Sequence, residues 1–223
     1  MISLLAEKIS HTYRFFHALK EVSLEINRGD CYALFGPNGA GKTTLMKIFA
    51  TLLSPTQGNF RILGRDAIAN RDEVRGLLFF IGHGSFLYDD LTAIENIEFT
   101  MGLRGWLPTL GEMKTALDRV GIGAYAFQKS RTLSVGMQKR LSLAKAILAS
   151  PQFLLLDEPY AALDERGIEI LHQTIRDFLA NGASVLLSSH DRVKTAQIAN
   201  RAGILQNKGL KEISLSDLEH ALF

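Results

Sequence analysis

The sequence predicts an α/β fold with a mostly parallel sheet covered on both faces, a strand-rich front third and a helical segment set into the middle. Three observations predict it. In the last third, the apolar runs FLLLD and ASVLLSSH alternate with amphipathic helical stretches. Strands buried on both faces read as continuous apolar runs, as in a parallel sheet. Near the front, the apolar run CYALF passes through a glycine-rich turn, GPNGAGKT, into a helical stretch. Between these regions, residues 87–150 read as helical.

Taken in order, VSLEI (Val22 to Ile26) alternates apolar and polar residues, as in a half-buried strand. NRGD turns the chain, CYALF follows as a buried strand, and the glycine loop leads into KTTLMKIFATLL. GNFRILG reads as a short strand between glycines. ENIEFTMGL and GEMKTALDRVGI are helical, with Met113, Ala116, Leu117 and Val120 on one apolar face. SVGMQKRLSLAKAIL is a further helix, closed by Ser150 and Pro151. After FLLLD, the residues Ile168, Leu171, Ile175, Phe178 and Leu179 stripe a helix. ASVLLSSH is a second buried strand, DRVKTAQIAN a helix, and AGILQNKGLKEIS a closing hairpin. The expected organisation is one domain over residues 1–223. Residues 1–86 and 151–223 form its core, and 87–150 its helical subdomain.

The chain has 223 residues, 47% hydrophobic and 22% charged, with a net charge of +2. This fits an ordered globular protein, and without a dense Lys/Arg block it argues against nucleic-acid binding. Cys31 is the only cysteine, so no internal disulfide forms, and its place in CYALF reads as a buried small hydrophobe. The start, MISLLAEKIS, lacks the basic and long apolar regions of a signal peptide. No apolar run approaches the roughly 18 residues of a membrane helix, so work at a membrane requires another anchor.

GPNGAGKT matches the P-loop pattern G-x-x-x-x-G-K-[ST], with a strand before it and a helix after. Glycine there lets the backbone wrap phosphates and aim several N–H groups inward, and the helix adds its positive end. Gly36, Pro37, Asn38, Gly39, Ala40, Gly41, Lys42, Thr43 and Thr44 are the candidate phosphate-binding residues. Lys42 reaches the β- and γ-phosphates, and the Thr43 hydroxyl can ligate Mg²⁺. Asp157, at the end of FLLLD, is placed to hold Mg²⁺ directly or through water, and Glu158 to polarise an attacking water. Without the P-loop upstream, an ordinary acidic pair at a strand end is the better reading. His190, just past ASVLLSS, lies where α/β sheets bind ligands, with a solvated loop histidine as the plain alternative.

With the segment RTLSVGMQKR, these pieces resemble the ATPase subunits of ABC transporters over nearly the whole chain. The motifs come in the family's order: P-loop, LSVGM (residues 133–137), Asp157 and Glu158, AALD (residues 161–164) and His190. The LSVGM segment makes the match specific, since P-loops occur in many NTPases. The resemblance implies a P-loop NTPase core with an N-terminal antiparallel β subdomain and an inserted α-helical subdomain. It further implies ATP and Mg²⁺ as cofactors, with Tyr13 stacking on adenine; a plain surface or core tyrosine is the alternative. Ser134 and Gly136 then bind the γ-phosphate of ATP held by the opposite subunit, and Asp164 communicates across a head-to-tail dimer, here a homodimer or its equivalent. Membrane-spanning permease subunits are the implied partners, docking near Phe86, Leu87 and Tyr88, residues that equally suit a plain core. The implied location is peripheral, on the cytoplasmic face of the inner membrane. In the implied reaction Lys42 and the loop backbone spread phosphate charge, Glu158 deprotonates water and His190 stabilises the developing charge.

Two departures stand out. Val135 and Met137 replace a glycine and a glutamine of the usual signature. In FIGHGSF, His83 falls where the family carries a glutamine, once LTAIEN (residues 91–96) sets the register. Mg²⁺ prefers oxygen ligands, so His83 is expected to orient water or sense the γ-phosphate, or else to pack away from nucleotide. Its ordinary pKa near 6.5 permits pH sensitivity. The IGH loop, the DEPYAALDERG segment and the short C-terminus resemble the branch serving cytochrome c maturation, described as a haem exporter. Other bacterial export ATPases are the alternative. A soluble ABC ATPase acting on DNA or ribosomes fits less well. Only residues 44–132 separate the P-loop from the signature, which leaves no room for a long coiled coil.

Overall fold

The computed structural model describes residues 1–82, 84 and 86–214. His83 therefore lies outside the described residues. The front of the chain builds an antiparallel sheet. Strand β1 (Ile2–Tyr13) pairs with β2 (Phe16–Asn27) and with β4 (Gln57–Ile62), and β4 carries the short β5 (Arg65–Asp66) at its edge. The alternation of β1 changes phase where its register shifts between Ala6 and Ile9, with Lys8 at φ 51. That bulge is why a two-residue period does not reveal this strand in the sequence.

The second sheet comprises β3 (Cys31–Phe35), β6 (Leu78–Ile81), β7 (Phe153–Asp157), β8 (Ser184–Ser188), β9 (Arg201–Gln206) and β10 (Gly209–Ile213). Its order is β10-β9-β3-β8-β7-β6, parallel throughout except for the β9/β10 hairpin. Strands β3, β7 and β8 are buried along their whole length. Alternate residues serve opposite faces. Tyr32, Leu34, Phe153, Leu155 and Leu186 join a core with α1 (Lys42–Phe49) and the front sheet. Cys31, Ala33, Leu154, Leu156, Val185 and Leu187 join the core on the other face. That core takes in residues of α3 (Ala93–Leu103), α4 (Leu110–Arg119), α5 (Val135–Ala149) and α6 (Glu165–Ala180). Helices covering both faces are what the apolar strand runs require.

Helices α3 and α4 begin alike. Thr92 with Glu95, and Thr109 with Glu112, close reciprocal capping boxes that satisfy the free N–H groups of the first turn. Met113, Ala116, Leu117 and Val120 are all buried, as their spacing predicts. Besides β1 and the two-residue β5, two further elements escape the sequence reading. Helix α2 (Arg71–Leu77) buries only Val74 and so shows no apolar stripe, and β6 has only four residues. The DRVKTAQIAN stretch is helical only over α7 (Arg192–Ala196). There the chain leaves the helix to enter β9, with Asn200 Oδ1 accepting from the Cys31 N–H at 2.8 Å.

Candidate active site

The candidate residues converge on one edge of the parallel sheet because three neighbouring strands end together. Leu34 of β3 and Asp157 of β7 both stand in register with Ser188, the last residue of β8. Two strand spacings, about 10 Å, separate β3 from β7 at this level. The loop after β3, the acidic pair after β7 and the histidine after β8 therefore share one carboxyl-end crevice, the usual ligand position in such sheets.

Residues 36–41 make the turn from β3 into α1. A Cβ on Gly36, at φ 149, would lie 2.3 Å from the Leu205 carbonyl, so only glycine fits there. Helix α1 has no side-chain cap and no acidic residue in its first turn, which leaves its initial N–H groups and positive end for an anion. Lys42 is buried, and its Nζ donates to the carbonyls of Gly36 at 2.7 Å and Pro37 at 3.3 Å. An ammonium has three donors, so one stays available. Thr43 is exposed. Tyr13, at the end of β1, is half exposed, with its hydroxyl 3.4 Å from Thr44 Oγ1 and its ring edge-on to His11.

Asp157 is buried, and its Oδ1 accepts from the Ser188 hydroxyl at 2.5 Å. Its Oδ2 is equally buried and has no partner among the described residues. A lone buried carboxylate oxygen is a site for a hard cation or a water, because leaving it unsatisfied is costly. Glu158 adopts φ 50, unusual for a residue with a Cβ, and its N–H meets the Ser188 carbonyl and hydroxyl at 3.2 and 3.1 Å. Its Oε2 lies 2.8 Å from His190 Nδ1. A carboxylate only accepts, so Nδ1 carries the proton, and in the neutral ring Nε2 is the acceptor. The His190 side chain is 73% exposed and the Glu158 side chain 17%. The imidazole thus reaches out of the crevice while the carboxylate stays inside.

The signature segment lies at the start of α5. Ser134 caps α5, its hydroxyl accepting from the Met137 N–H at 3.2 Å. A Cβ on Gly136 would lie 2.6 Å from the Ala162 carbonyl, so the glycine lets α5 press against the loop after Glu158. Asp164 caps α6, and its carboxylate also pairs with the Arg140 guanidinium. The Gly167 N–H and then Arg140 hold the Asp164 carboxyl below the usual carboxylate range. The pocket around Ser134, Gly136, Met137 and Asp164 includes no residue of the 36–44 loop in its walls.

Four contributing residues were not singled out in the sequence: Ser188, Lys139, Arg140 and Lys145. Lys139 is buried, and its Nζ donates to the Glu158 carbonyl at 2.6 Å and the Ala161 carbonyl at 3.4 Å. Burial pulls its ammonium below the ordinary lysine range, while the Glu158 and Asp157 carboxylates act in the opposite sense. Phe86 and Tyr88 are exposed beside an apolar groove lined by Leu52, Phe80, Phe99 and Leu103, with Lys145 at its side. Asn96, fully buried, holds the start of this segment, accepting from the Tyr88 N–H at 2.8 Å.

Residues 19–161 match the ABC transporter family. The chain is 34% identical over 212 residues to YcbN, an uncharacterized ABC transporter ATP-binding protein of Bacillus subtilis, a match covering 94% of this chain and 69% of that protein. It is 34% identical over 172 residues to the cytochrome c biogenesis ATP-binding export protein CcmA of Pseudomonas putida, covering 77% and 81%. It is likewise 34% identical over 218 residues to the bacitracin transport ATP-binding protein BcrA of Enterococcus faecalis, covering 95% and 69%. Among solved structures, an ATP-binding subunit of an ABC transporter superposes with a TM-score of 0.88 at 26% identity, covering 97% of this chain and 92% of the other. A dimeric, post-hydrolysis ATP-binding cassette bound to ADP and Pi superposes with a TM-score of 0.86 at 27% identity, covering 95% and 98%.

Proposed function

This chain belongs to the ABC transporter family as an ATP-binding subunit with ATP-hydrolysing activity, and from that premise we propose how it acts and for what. Two copies, or this chain and an equivalent, bind head to tail so that Ser134 and Gly136 of one complete the phosphate loop of the other. The observation that supports this most directly is that the pocket at the signature includes no residue of the 36–44 loop in its walls, with unused donors at each helix start. A helix start at each of these two segments gives the phosphates of one ATP two positive ends.

Within each site, the 36–44 backbone and Lys42 hold the phosphates, and Tyr13 offers its exposed ring to adenine. Thr43 and Asp157 are the oxygen donors that fit Mg²⁺, given the unpartnered Asp157 Oδ2. The ion, when bound, neutralises charge on the β- and γ-phosphates. Glu158 orients the attacking water and takes its proton, and His190, hydrogen-bonded to Glu158, stabilises charge at the γ-phosphate. His83 is assigned a part in orienting water on the sequence register alone. The apolar groove at Phe86 and Tyr88 receives a cytoplasmic segment of the membrane-spanning permease, with Leu87 between them packed against the core, and this docking puts the chain at the inner face of the cell membrane. Among the described residues no helix is long and apolar enough to cross a membrane.

For cargo, we favour the cytochrome c maturation type, a haem exporter, supported by the similarity to CcmA. A second reading, an exporter of peptide antibiotics, is favoured by the similarity to BcrA extending over 95% of the chain. Glu158→Gln tests the chemistry. Turnover is expected to fall below about one hundredth of wild type, with ATP now driving a stable dimer on size-exclusion chromatography; full ATPase activity would remove Glu158 from its role. Solubilised membranes test the cargo: co-purifying cytochrome c maturation proteins support the first reading, and a drug or peptide permease the second.

A further inference from the structure

Lys139 sits on the second turn of α5, two residues past the LSVGM segment, and its ammonium touches the backbone of the hydrolytic carboxylate. The turn it meets is strained. Glu158 at φ 50 and Ala162 at φ 63 both occupy the left-handed region with a Cβ, a conformation that persists only where the surroundings hold it. Within that turn the Ala161 N–H meets the Glu158 carbonyl at 3.4 Å, a weak internal closure. The Lys139 Nζ gathers the same carbonyl at 2.6 Å and that of Ala161 at 3.4 Å. One charged donor thus bridges the two ends of the turn, and charge-assisted bonds are about twice as strong as neutral ones. The backbone at Glu158 sets the direction of its side chain, whose Oε2 meets His190 at 2.8 Å. On the helix side, Gly136 brings α5 against Ala162, so helix and turn are joined at two points.

From this geometry we infer that Lys139 is a positioning residue for ATP hydrolysis: it holds the 158–161 turn so that the Glu158 carboxylate faces the reacting water, and it ties that alignment to α5. The inference rests on the role proposed above for Glu158. Because α5 begins at the signature, a shift of α5 on nucleotide contact is carried to the Glu158 turn through this ammonium and through the Gly136–Ala162 approach.

The test compares Lys139→Met and Lys139→Arg in the full chain. Lys139→Met keeps the unbranched stem and loses both bonds. Its kcat is expected to fall at least about ten-fold, the scale of a lost hydrogen bond to a charged group. Its KM for ATP should stay within about two-fold, because the phosphates touch other residues. Lys139→Arg retains charge and donors, and the cavity beside it, walled by Ile81, Gly82, Val135, Gln138 and Ala162, leaves room for the larger head; it is expected to regain most of the kcat. Should Lys139→Met fail to fold, Lys139→Gln, too short to bridge both carbonyls, takes its place with the same expectation. An unchanged kcat, a loss confined to KM, or a folded Lys139→Arg as slow as the neutral variant overturns the inference. Glu158→Gln is run alongside. If it hydrolyses ATP at full rate, the role of Glu158 fails and this inference fails with it. If it is inactive while Lys139→Met is fully active, the Lys139 inference alone is overturned.

Discussion

Replacing Lys145 with methionine is expected to stabilise the protein, and by an amount that depends on pH. Lys145 is 6% exposed, and among the described residues its Nζ donates to the Phe86 carbonyl at 3.5 Å and pairs with no carboxylate. Burial pushes its pKa from 10.5 down to about 8. Each unit is worth 1.36 kcal/mol, so keeping the ammonium charged in the fold costs about 3 kcal/mol at neutral pH. Methionine keeps an unbranched stem and gives up one long hydrogen bond, worth about 1 kcal/mol, leaving a net gain of about 2 kcal/mol. At about 2–4 °C per kcal/mol for a chain of this size, Tm should rise by roughly 4–8 °C. The sign with pH follows from proton binding. Unfolded, Lys145 holds its proton to about pH 10.5; folded, only to about pH 8. Between these values the unfolded wild type binds more protons, so wild-type stability rises with pH. The advantage of Lys145→Met is therefore full below about pH 8 and fades toward pH 10.5. Scanning calorimetry of both proteins near neutral pH and again about two units higher measures this. A lower Tm for Lys145→Met near neutral pH, or a gain equal at both pH values, would refute the reasoning.

Gly136→Val places a Cβ 2.6 Å from the Ala162 carbonyl, so α5 and the adjoining loop have to part. Overpacking of this kind costs about 1–3 kcal/mol, and thermal denaturation should show that loss together with a fall of at least about ten-fold in ATPase rate. His83→Gln is expected to retain substantial hydrolysis, because both side chains accept and donate hydrogen bonds. A folded but nearly inactive variant in a steady-state ATPase assay would mean that the imidazole performs a step glutamine does not.

The residues legible in the sequence are those whose chemistry is local. A glycine loop between a strand and a helix is a backbone property, so residues 36–44 announce a phosphate site by themselves. Asp157, Glu158 and His190 are legible because they end apolar runs that can only be buried strands. Ser134 is legible only through the resemblance of LSVGM to the family's signature, and its place as the cap of α5 came from the structure. The strand-helix alternation likewise identifies the parallel sheet, since β3, β7 and β8 are apolar throughout.

What the tertiary structure decided lies between residues far apart in the chain. Ser188 reaches Asp157 only because β8 lies beside β7 in a register that pairs them. A lysine in a helix is ordinarily solvated, and nothing in SVGMQKRLSLAKAIL marks Lys139 or Lys145 otherwise. Both are buried because α5, enclosed from residue 139 to residue 146, packs against β6, α3 and α4 before it in the chain and α6 after it. The bulge at Lys8 and the single buried contact of α2 hid those elements from any periodicity. By itself the sequence determined which chemistry the molecule carries, because loops, caps and strand ends are written in consecutive residues. Only the tertiary structure decided which charges are buried and which distant side chains meet the strained turn at Glu158, because these follow from packing between distant segments.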